Sequence, residues 1–450
     1  MSMLLDTPMM SGNNMKSIWE ENSERVCFNP LQESKHTDVL IVGGGITGIL
    51  CAYMLYNAGV DCILVEADRV CGGITGDTTA KITLGHGLLY DKLIKRFGQE
   101  KARFYLETQL QALEKYADMC KDIPCDYEIK DSYVYSMNDR KKIEREVEAL
   151  KRLGFNADYS DELPLPFKVA GAVRIREQAQ FHPLKFAYKL AKNLPIYENT
   201  KVCEIMPGKA ITQHGEITFK RMIIATHFPI LNKHGSYFLK MYQHRSYVLA
   251  LDGAPKPCGM YVDDSDTGLS FRTHDNLLLL GGGGHRTGKK GGNWRELEAF
   301  AKKYYPDAKI TARWATQDCM TLDSVPYIGQ YSKHTPNIYV ATGFNKWGMT
   351  SAMVSAMILS DLVRNKSNKY ASVFSPSRSI LHPQLAVNMF ESAMGLMTPT
   401  VPRCPHLGCA LKYNPDEHTW DCPCHGSRFT ESGKLINNPA ADDKKNMPPI

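Results

Sequence analysis

From Asp38 the chain runs Val-Leu-Ile-Val, breaks at Gly43-Gly44-Gly45, and resumes as an apolar stretch from Ile46 to about Ala58. A four-residue apolar run closed by glycines predicts a short buried strand. The longer run beyond it predicts a helix packed against that strand. Asp61 to Val65 predicts a second strand. Between Tyr90 and about Leu153, helical spacing, charge pairing and helix-forming residues predict a mainly helical segment. The pattern changes over Arg174 to Pro183, where Phe181-His182-Pro183 marks a crossing between lobes. Lys201 to Ile205, Ala210 to Thr212, Glu216 to Ile224, Asn276 to Leu280 and Asn337 to Ala341 predict further strands. Thr350 to Arg364 predicts a helix with small residues and methionines on one face. Residues 365–400, Ser/Pro-rich and then Met-rich, predict a linker. No internal repeat is present.

Composition narrows the class. The 450 residues suffice for two or three domains, and 43% apolar with 23% charged residues is ordinary for a soluble globular chain. The net charge of +6 is mild and mixed along the chain, which argues against nucleic acid as a partner. Val39 to Val60 carries no charge and by hydropathy alone is a membrane-span candidate. Its three central glycines and flanking β-branched residues fit a buried strand–turn–helix better, so no membrane span is expected. Met1 to Thr37 is polar and has no apolar core resembling a signal peptide; Trp19 is expected to tack this segment onto the main body. Nine of the 13 cysteines are scattered, mainly in apolar contexts, as reduced core thiols would be, while Cys404, Cys409, Cys422 and Cys424 crowd together. That distribution points to a cytoplasmic protein.

Gly43, Gly45 and Gly48 have the G-x-G-x-x-G spacing. The first permits a tight turn, the second lets a pyrophosphate approach the backbone, and the third lets helix and sheet touch. The helix N-terminus at Ile46-Thr47 then offers free N–H groups and a positive dipole end to that anion. Glu66, at the end of the next strand and followed by Ala67, is placed to accept the ribose hydroxyls of an adenosine. The motif alone does not separate FAD from NAD. Cys71-Gly-Gly-Ile-Thr-Gly-Asp-Thr-Thr-Ala-Lys81 resembles the segment with which flavoproteins related to D-amino-acid and glycine oxidases line the cofactor. Asp323-Ser-Val-Pro-Tyr-Ile-Gly329 and Ala341-Thr-Gly-Phe-Asn-Lys-Trp-Gly-Met-Thr350 are similar to that family's closing flavin element. The resemblance spans residues 38–364. It implies FAD as cofactor, with Gly73, Thr78, Thr79, Ala80, Lys81, Val202, Ala225, Gly343, Gly348, Met349 and Thr350 among its contacts. A helix starting at Gly348 would stabilise negative charge on the reduced ring.

The C-terminal segment reads Cys404-Pro-His406-Leu-Gly-Cys409, then Cys422-Pro-Cys424-His425-Gly-Ser427. Four Cys and two His would suit zinc as well. The interdigitated Cys-x-His and Cys-x-x-His loops instead resemble a Rieske [2Fe–2S] centre, in which two thiolates hold one iron and two imidazoles the other. The resemblance implies Cys404, His406, Cys422 and His425 as ligands, a Cys409–Cys424 bridge as in cytochrome bc-type members, and Ser427 as a donor to a bridging sulfide. Phe429 stands where high-potential members carry a Tyr, which implies a lower potential. The strands that usually precede the first ligand loop are missing, so the module looks reduced to its cluster-binding part.

The expected organisation is an N-terminal extension (1–37), an FAD-dependent oxidoreductase domain (38–364), a linker (365–400) and a Rieske module (401–450). The fold class is α/β, with α+β character in the substrate lobe: a Rossmann-like flavin domain of the glycine oxidase type plus a small all-β cluster-binding subdomain. Bacterial Rieske-domain FAD-dependent oxidoreductases have this arrangement. The resemblance implies a flavoenzyme that exchanges electrons between a small amine or amino acid and the cluster, with an external donor or acceptor. Its alternative is a flavin/iron–sulfur electron-transfer or redox-sensing protein. His244, Arg245, His285 and Arg286 are candidate substrate contacts, an arginine being suited to grip a carboxylate. No catalytic base stands out.

Overall fold

A computed structural model describes residues 16–231, 234–265, 268–399, 402–445 and 447. Its first sheet is built on the strand Lys35–Val42, whose last four residues, Val-Leu-Ile-Val, are apolar and all buried. Parallel neighbours Glu216–Ile224 and Cys62–Val65 flank it. Ile196–Tyr197 extends one side and Ile338–Thr342 the other, and the antiparallel strand Tyr327–Gln330 closes the sheet. Helices Ile46–Asn57 and Gly348–Leu362 pack beside this sheet in the same apolar core, which is why both are apolar nearly all round. Trp19 is fully buried, and its indole N–H donates to the Thr78 carbonyl at 2.7 Å. Residues 1–15 of the expected extension lie outside the described residues.

The second sheet has nine strands, in the order Lys309–Thr321, Met241–Asp252, Leu277–Arg286, Ser270–His274, Met260–Asp263, Glu128–Ser136, Gly171–Gln180 and Lys81–Ile82, with Asp158–Ser160 off this path. Glu128–Ser136 corrects the helical reading of 90–153. The helix Tyr90–Cys120 ends well before it, and a second helix, Arg140–Arg152, follows it. The strand's first half, Glu-Ile-Lys-Asp, has the mixed charge of a helix; only Tyr-Val-Tyr declares its β character.

The segment read as a linker holds helices Ala371–Phe374 and Pro383–Met397. Pro383 sits in the first turn, where its missing N–H costs nothing. This second helix is inverted: Asn388 and Gly395 are buried, whereas Val387, Phe390, Met394 and Met397 are exposed. Its inward face is therefore polar and small, so apolar periodicity misplaces it. Beyond it a four-stranded antiparallel sheet, Lys412–Asn414, Thr419–Asp421, Arg428–Thr430 and Leu435–Asn437, carries the two Cys/His loops. Among the described residues no helix is long and apolar enough to cross a membrane.

Candidate functional site

The strand Lys35–Val42 ends at Gly43, whose φ is +111°. A Cβ there would lie 2.6 Å from the Ala225 carbonyl oxygen, so only glycine lets the strand Glu216–Ile224 come this close. At Gly48 a Cβ would overlap the Gly43 carbonyl oxygen, so helix and strand touch backbone to backbone. Glu66 Oε2 accepts the Gly44 N–H at 2.7 Å and Oε1 the Asp68 N–H at 2.9 Å. Burial pushes its carboxyl above the usual range, against the pull of these N–H donors.

These groups open onto a cavity of about 1090 Å³ between the first two sheets, large enough for a dinucleotide with substrate space to spare. Of the expected flavin contacts, Gly43, Gly45, Ile46, Thr47, Glu66, Ala67, Gly73, Thr78, Thr79, Lys81, Val202, Ala225, Gly343, Gly348 and Met349 line it. Gly48, Ala80 and Thr350 stand behind the wall. Gly48 lies under Gly43; the Ala80 carbonyl accepts from Arg272 at 3.0 Å; and the Thr350 hydroxyl meets His86 Nε2 at 2.9 Å. Sequence reasoning missed His86, whose ring stacks on Trp347 at 5.0 Å; burial pushes its pKa down to about 3. Burial, helped by Arg272, likewise pushes the Lys81 amine down to about 7. The donor set, the glycine cradle and the volume fit FAD.

The two Cys/His loops close in the same way. Cys404 N–H donates to the Cys409 carbonyl and Cys422 N–H to the Ser427 carbonyl, both at 2.8 Å. Gly408 and Gly426, each at positive φ, donate to the carbonyls of Cys404 and Cys422, both at 2.9 Å. Equivalent turns thereby bring the Cys404 and Cys422 thiols into contact and set the His406 and His425 rings 5.0 Å apart at 88°. Burial holds both imidazoles at about 4, with the neighbouring ring adding to it at His406 and Arg286 at His425; both are therefore neutral, as metal ligands must be. His425 Nδ1 is buried with no hydrogen-bond partner. Two sulfurs beside two neutral ring nitrogens fit a [2Fe–2S] cluster of Rieske type. Cys409 and Cys424 are free thiols whose sulfurs lie, with that of Cys422, within 4.8 Å of one another. The Ser427 hydroxyl accepts the Ala440 N–H at 2.9 Å and meets the Cys404 thiol, while Phe429 is fully buried.

The four basic residues expected to contact substrate do something else. Arg245 makes an ion pair with Glu417, and Glu417 also accepts from Tyr247 at 2.8 Å and Arg428 at 2.7 Å. Burial alone would raise the Glu417 carboxyl, yet Arg245 and Arg428 hold it at about 2. Arg286 donates to the carbonyls of Pro423 (3.3 Å) and Cys424 (3.2 Å) and to Asn388 (3.0 Å). His285 meets the Tyr247 hydroxyl at 3.0 Å. His244 is buried in the sheet, where burial pushes it down to about 2, with Lys346 and His285 adding to it. Arg245 and Arg286 thus fasten the cluster module to the sheet rather than a substrate. The period-two alternation of strands explains the difference. In the strands Met241–Asp252 and Lys309–Thr321, Gln243, Arg245 and Gln317 face the module, and Tyr247, which borders the cavity, reaches Glu417 through its hydroxyl. Ser246, Val248, Thr316, Asp318 and Met320 face the cavity.

Module and cavity also meet directly. Leu435, Asn437, Asn438 and Ala440 form part of the cavity wall. Asn438 Nδ2 donates to the carbonyls of Thr226 (2.9 Å) and Phe228 (2.6 Å), and Gln243 Nε2 to those of His425 (3.1 Å) and Asn438 (2.7 Å). His227 lines the cavity, and the next residue, Phe228, is fully buried with its ring edge-on to His406 at 6.5 Å.

Residues 38–362 match the model of the FAD dependent oxidoreductase family, and residues 382–448 that of the Rieske [2Fe-2S] domain. The Bacillus subtilis (strain 168) protein YhfW, described as a Rieske 2Fe-2S iron-sulfur protein, is 35% identical across 96% of this chain and 97% of its own length. The gamma-glutamylputrescine oxidoreductase of Escherichia coli (strain K12) is 26% identical across 76% of this chain and 87% of its own. The crystal structure of glycine oxidase from Geobacillus kaustophilus superposes with a TM-score of 0.64 over 76% of this chain and 99% of that one; at 18% identity it speaks for the fold alone.

Proposed function

The chain belongs to the FAD-dependent oxidoreductase family and carries a C-terminal Rieske [2Fe–2S] domain, and from that premise we propose that it oxidises a C–N bond in a small amine or amino acid and passes the two electrons through its flavin to its own cluster and on, one at a time, to an external acceptor. When bound, FAD supplies a two-electron acceptor and the cluster a one-electron carrier. What this chain adds is proximity and shielding. The observation that carries the reading is the adjacency of His227 in the cavity wall and Phe228 against His406, on one turn held by Asn438. Cofactors bound in these two sites would share one protein partition. The sheet Met241–Asp252 and Lys309–Thr321 fixes that partition from both faces, and the buried Arg245–Glu417–Arg428 network keeps the module from drifting. Amine and amino-acid chemistry finds support in the similarity to gamma-glutamylputrescine oxidoreductase and in the glycine-oxidase fold.

The test is anaerobic mixing of the holoprotein with a panel of small amines and amino acids, following flavin absorbance and the reduced Rieske signal by electron paramagnetic resonance. Flavin bleaching followed by cluster reduction is the expected result. Bleaching with the cluster left oxidised would contradict the electron route. Silence across the panel would favour an electron-transfer or redox-sensing protein without an amine substrate.

A further inference from the structure

The cavity has a polar floor that the flavin reading leaves unused. On the strand Lys309–Thr321, alternation turns Thr316, Asp318 and Met320 into the cavity. Thr316 Oγ1 is buried without a hydrogen-bond partner, as is Nε2 of His227, which also lines the cavity. Among the described residues Asp318 makes no hydrogen bond or ion pair like those of Asp131 and Asp158 in this sheet, which pair with Arg174 and Arg176. Asp263 likewise accepts from the Ser265 N–H at 2.8 Å, and Asp264 pairs with Lys142 at 3.5 Å. The groups that face Asp318 are Lys346 on the loop before the helix Gly348–Leu362, His244 beside it in register on the strand Met241–Asp252, and Arg245 through the sheet. Burial pushes the Asp318 carboxyl up to about 6, against the pull of Lys346 and Arg245.

The arginines near the cavity are engaged by the protein itself, and the other cations in its wall are lysines, Lys81 and Lys346 among them. Arg245 belongs to Glu417 and Arg286 to the carbonyls of the cluster loop. Arg272 is spent on the carbonyls of Thr79, Ala80 and Phe181. Among the described residues the one arginine lining the cavity is Arg69, near the Glu66 end, where it pairs with Glu20 at 2.8 Å. Among the described residues no unpaired arginine lines the cavity to hold a carboxylate bidentately. A half-buried carboxylate in the cavity wall beside an unsatisfied hydroxyl suits an ammonium group, which brings both charge and N–H donors.

Resting on the C–N reading above, we infer that Asp318, with the Thr316 hydroxyl, anchors the amino group of the substrate, and that the substrate class is a small amine without an α-carboxylate. Asp318 is then the residue that sets specificity, by attraction for the cation and repulsion of a carboxylate.

Two probes of nearly the same shape and opposite charge test this on the FAD-loaded protein. tert-Butylamine cannot be oxidised, having no hydrogen on the carbon bearing nitrogen, and pivalate replaces its ammonium by a carboxylate. Binding is read by calorimetry and by perturbation of the oxidised flavin spectrum, so turnover is not needed. The expected result is that tert-butylamine binds at least tenfold more tightly than pivalate. Asp318→Asn should weaken it at least tenfold while FAD content and cluster signal stay unchanged, and Asp318→Glu should restore part of the loss. Equal or tighter binding of pivalate, unchanged amine binding in Asp318→Asn, or binding of neither probe would overturn the assignment. The C–N reading stands or falls separately, on whether any amine or amino acid bleaches the flavin.

Discussion

The flavin lobe and the cluster module solve the problem of stability in different ways. The lobe buries three apolar clusters, one of which runs through both parallel-sheet helices and the long helix Tyr90–Cys120. The module's own cluster has seven buried residues, four of which are cysteines, so without iron or a bridge it has little apolar surface to bury. It is held instead by polar fastening to the lobe: Arg245 and Arg428 around Glu417, Arg286 on the cluster-loop carbonyls, and Gln243 and Gln317 on the turn after His425. A small module with little apolar core of its own can thus be held by a neighbour's sheet. Docking and electron delivery then become one structural problem.

That contrast yields predictions of decreasing size. Cys422→Ser should abolish the Rieske absorbance and resonance signals while leaving one FAD per chain. Loss of FAD as well would mean that the lobe depends on the module. The converse variant, Gly48→Val, drives a side chain into the Gly43 carbonyl and should empty the flavin site, read as loss of the yellow chromophore on purification. Glu417→Gln leaves Arg245 buried without a counter-charge and Arg428 with Asp421 alone, and should cost about 3–5 kcal/mol. Hydrogen exchange should place that loss in residues 402–445 and the strands facing them, and uniform loosening of the lobe would break the comparison.

The same carboxylate gives a pH dependence of defined sign. Its folded value of about 2 lies below its ordinary 4.5. The stabilisation is therefore fully present above pH 4.5 and is lost as pH falls toward 2. Acid titration should loosen the module within that window, and Glu417→Gln should remove the dependence. The smallest effect is expected at Phe429, which is fully buried beside the cluster loops. Phe429→Tyr should raise the cluster potential by supplying a donor, and an unchanged midpoint in a redox titration would refute that role.

Both cofactor motifs were legible in the sequence because each is local. The turn at Gly43 to Gly48 and the paired loops at Cys404 and Cys422 depend on neighbours a few residues away, and Glu66 lies one strand further on. What joins them was not legible. Arg245 and Glu417 are 172 positions apart, and nothing in the run Tyr242 to Tyr247 says which face of the strand meets another domain. Their charges consequently read as a substrate grip. Asp318 was hidden for the same reason, although the alternation Thr316, Asp318, Met320 was the signal that could have found it. The helix Pro383–Met397 escaped because its polar face is the buried one.

The central claim is that flavin and cluster form one intramolecular relay across the Phe228 partition. Its most direct test is stopped-flow reduction of the flavin under anaerobic conditions, with cluster reduction timed over a range of protein concentrations. A first-order rate independent of concentration, slowed in Phe228→Ala with both midpoint potentials unchanged, is the predicted result. A rate that rises in proportion to protein concentration would place the electron transfer between molecules and contradict the account.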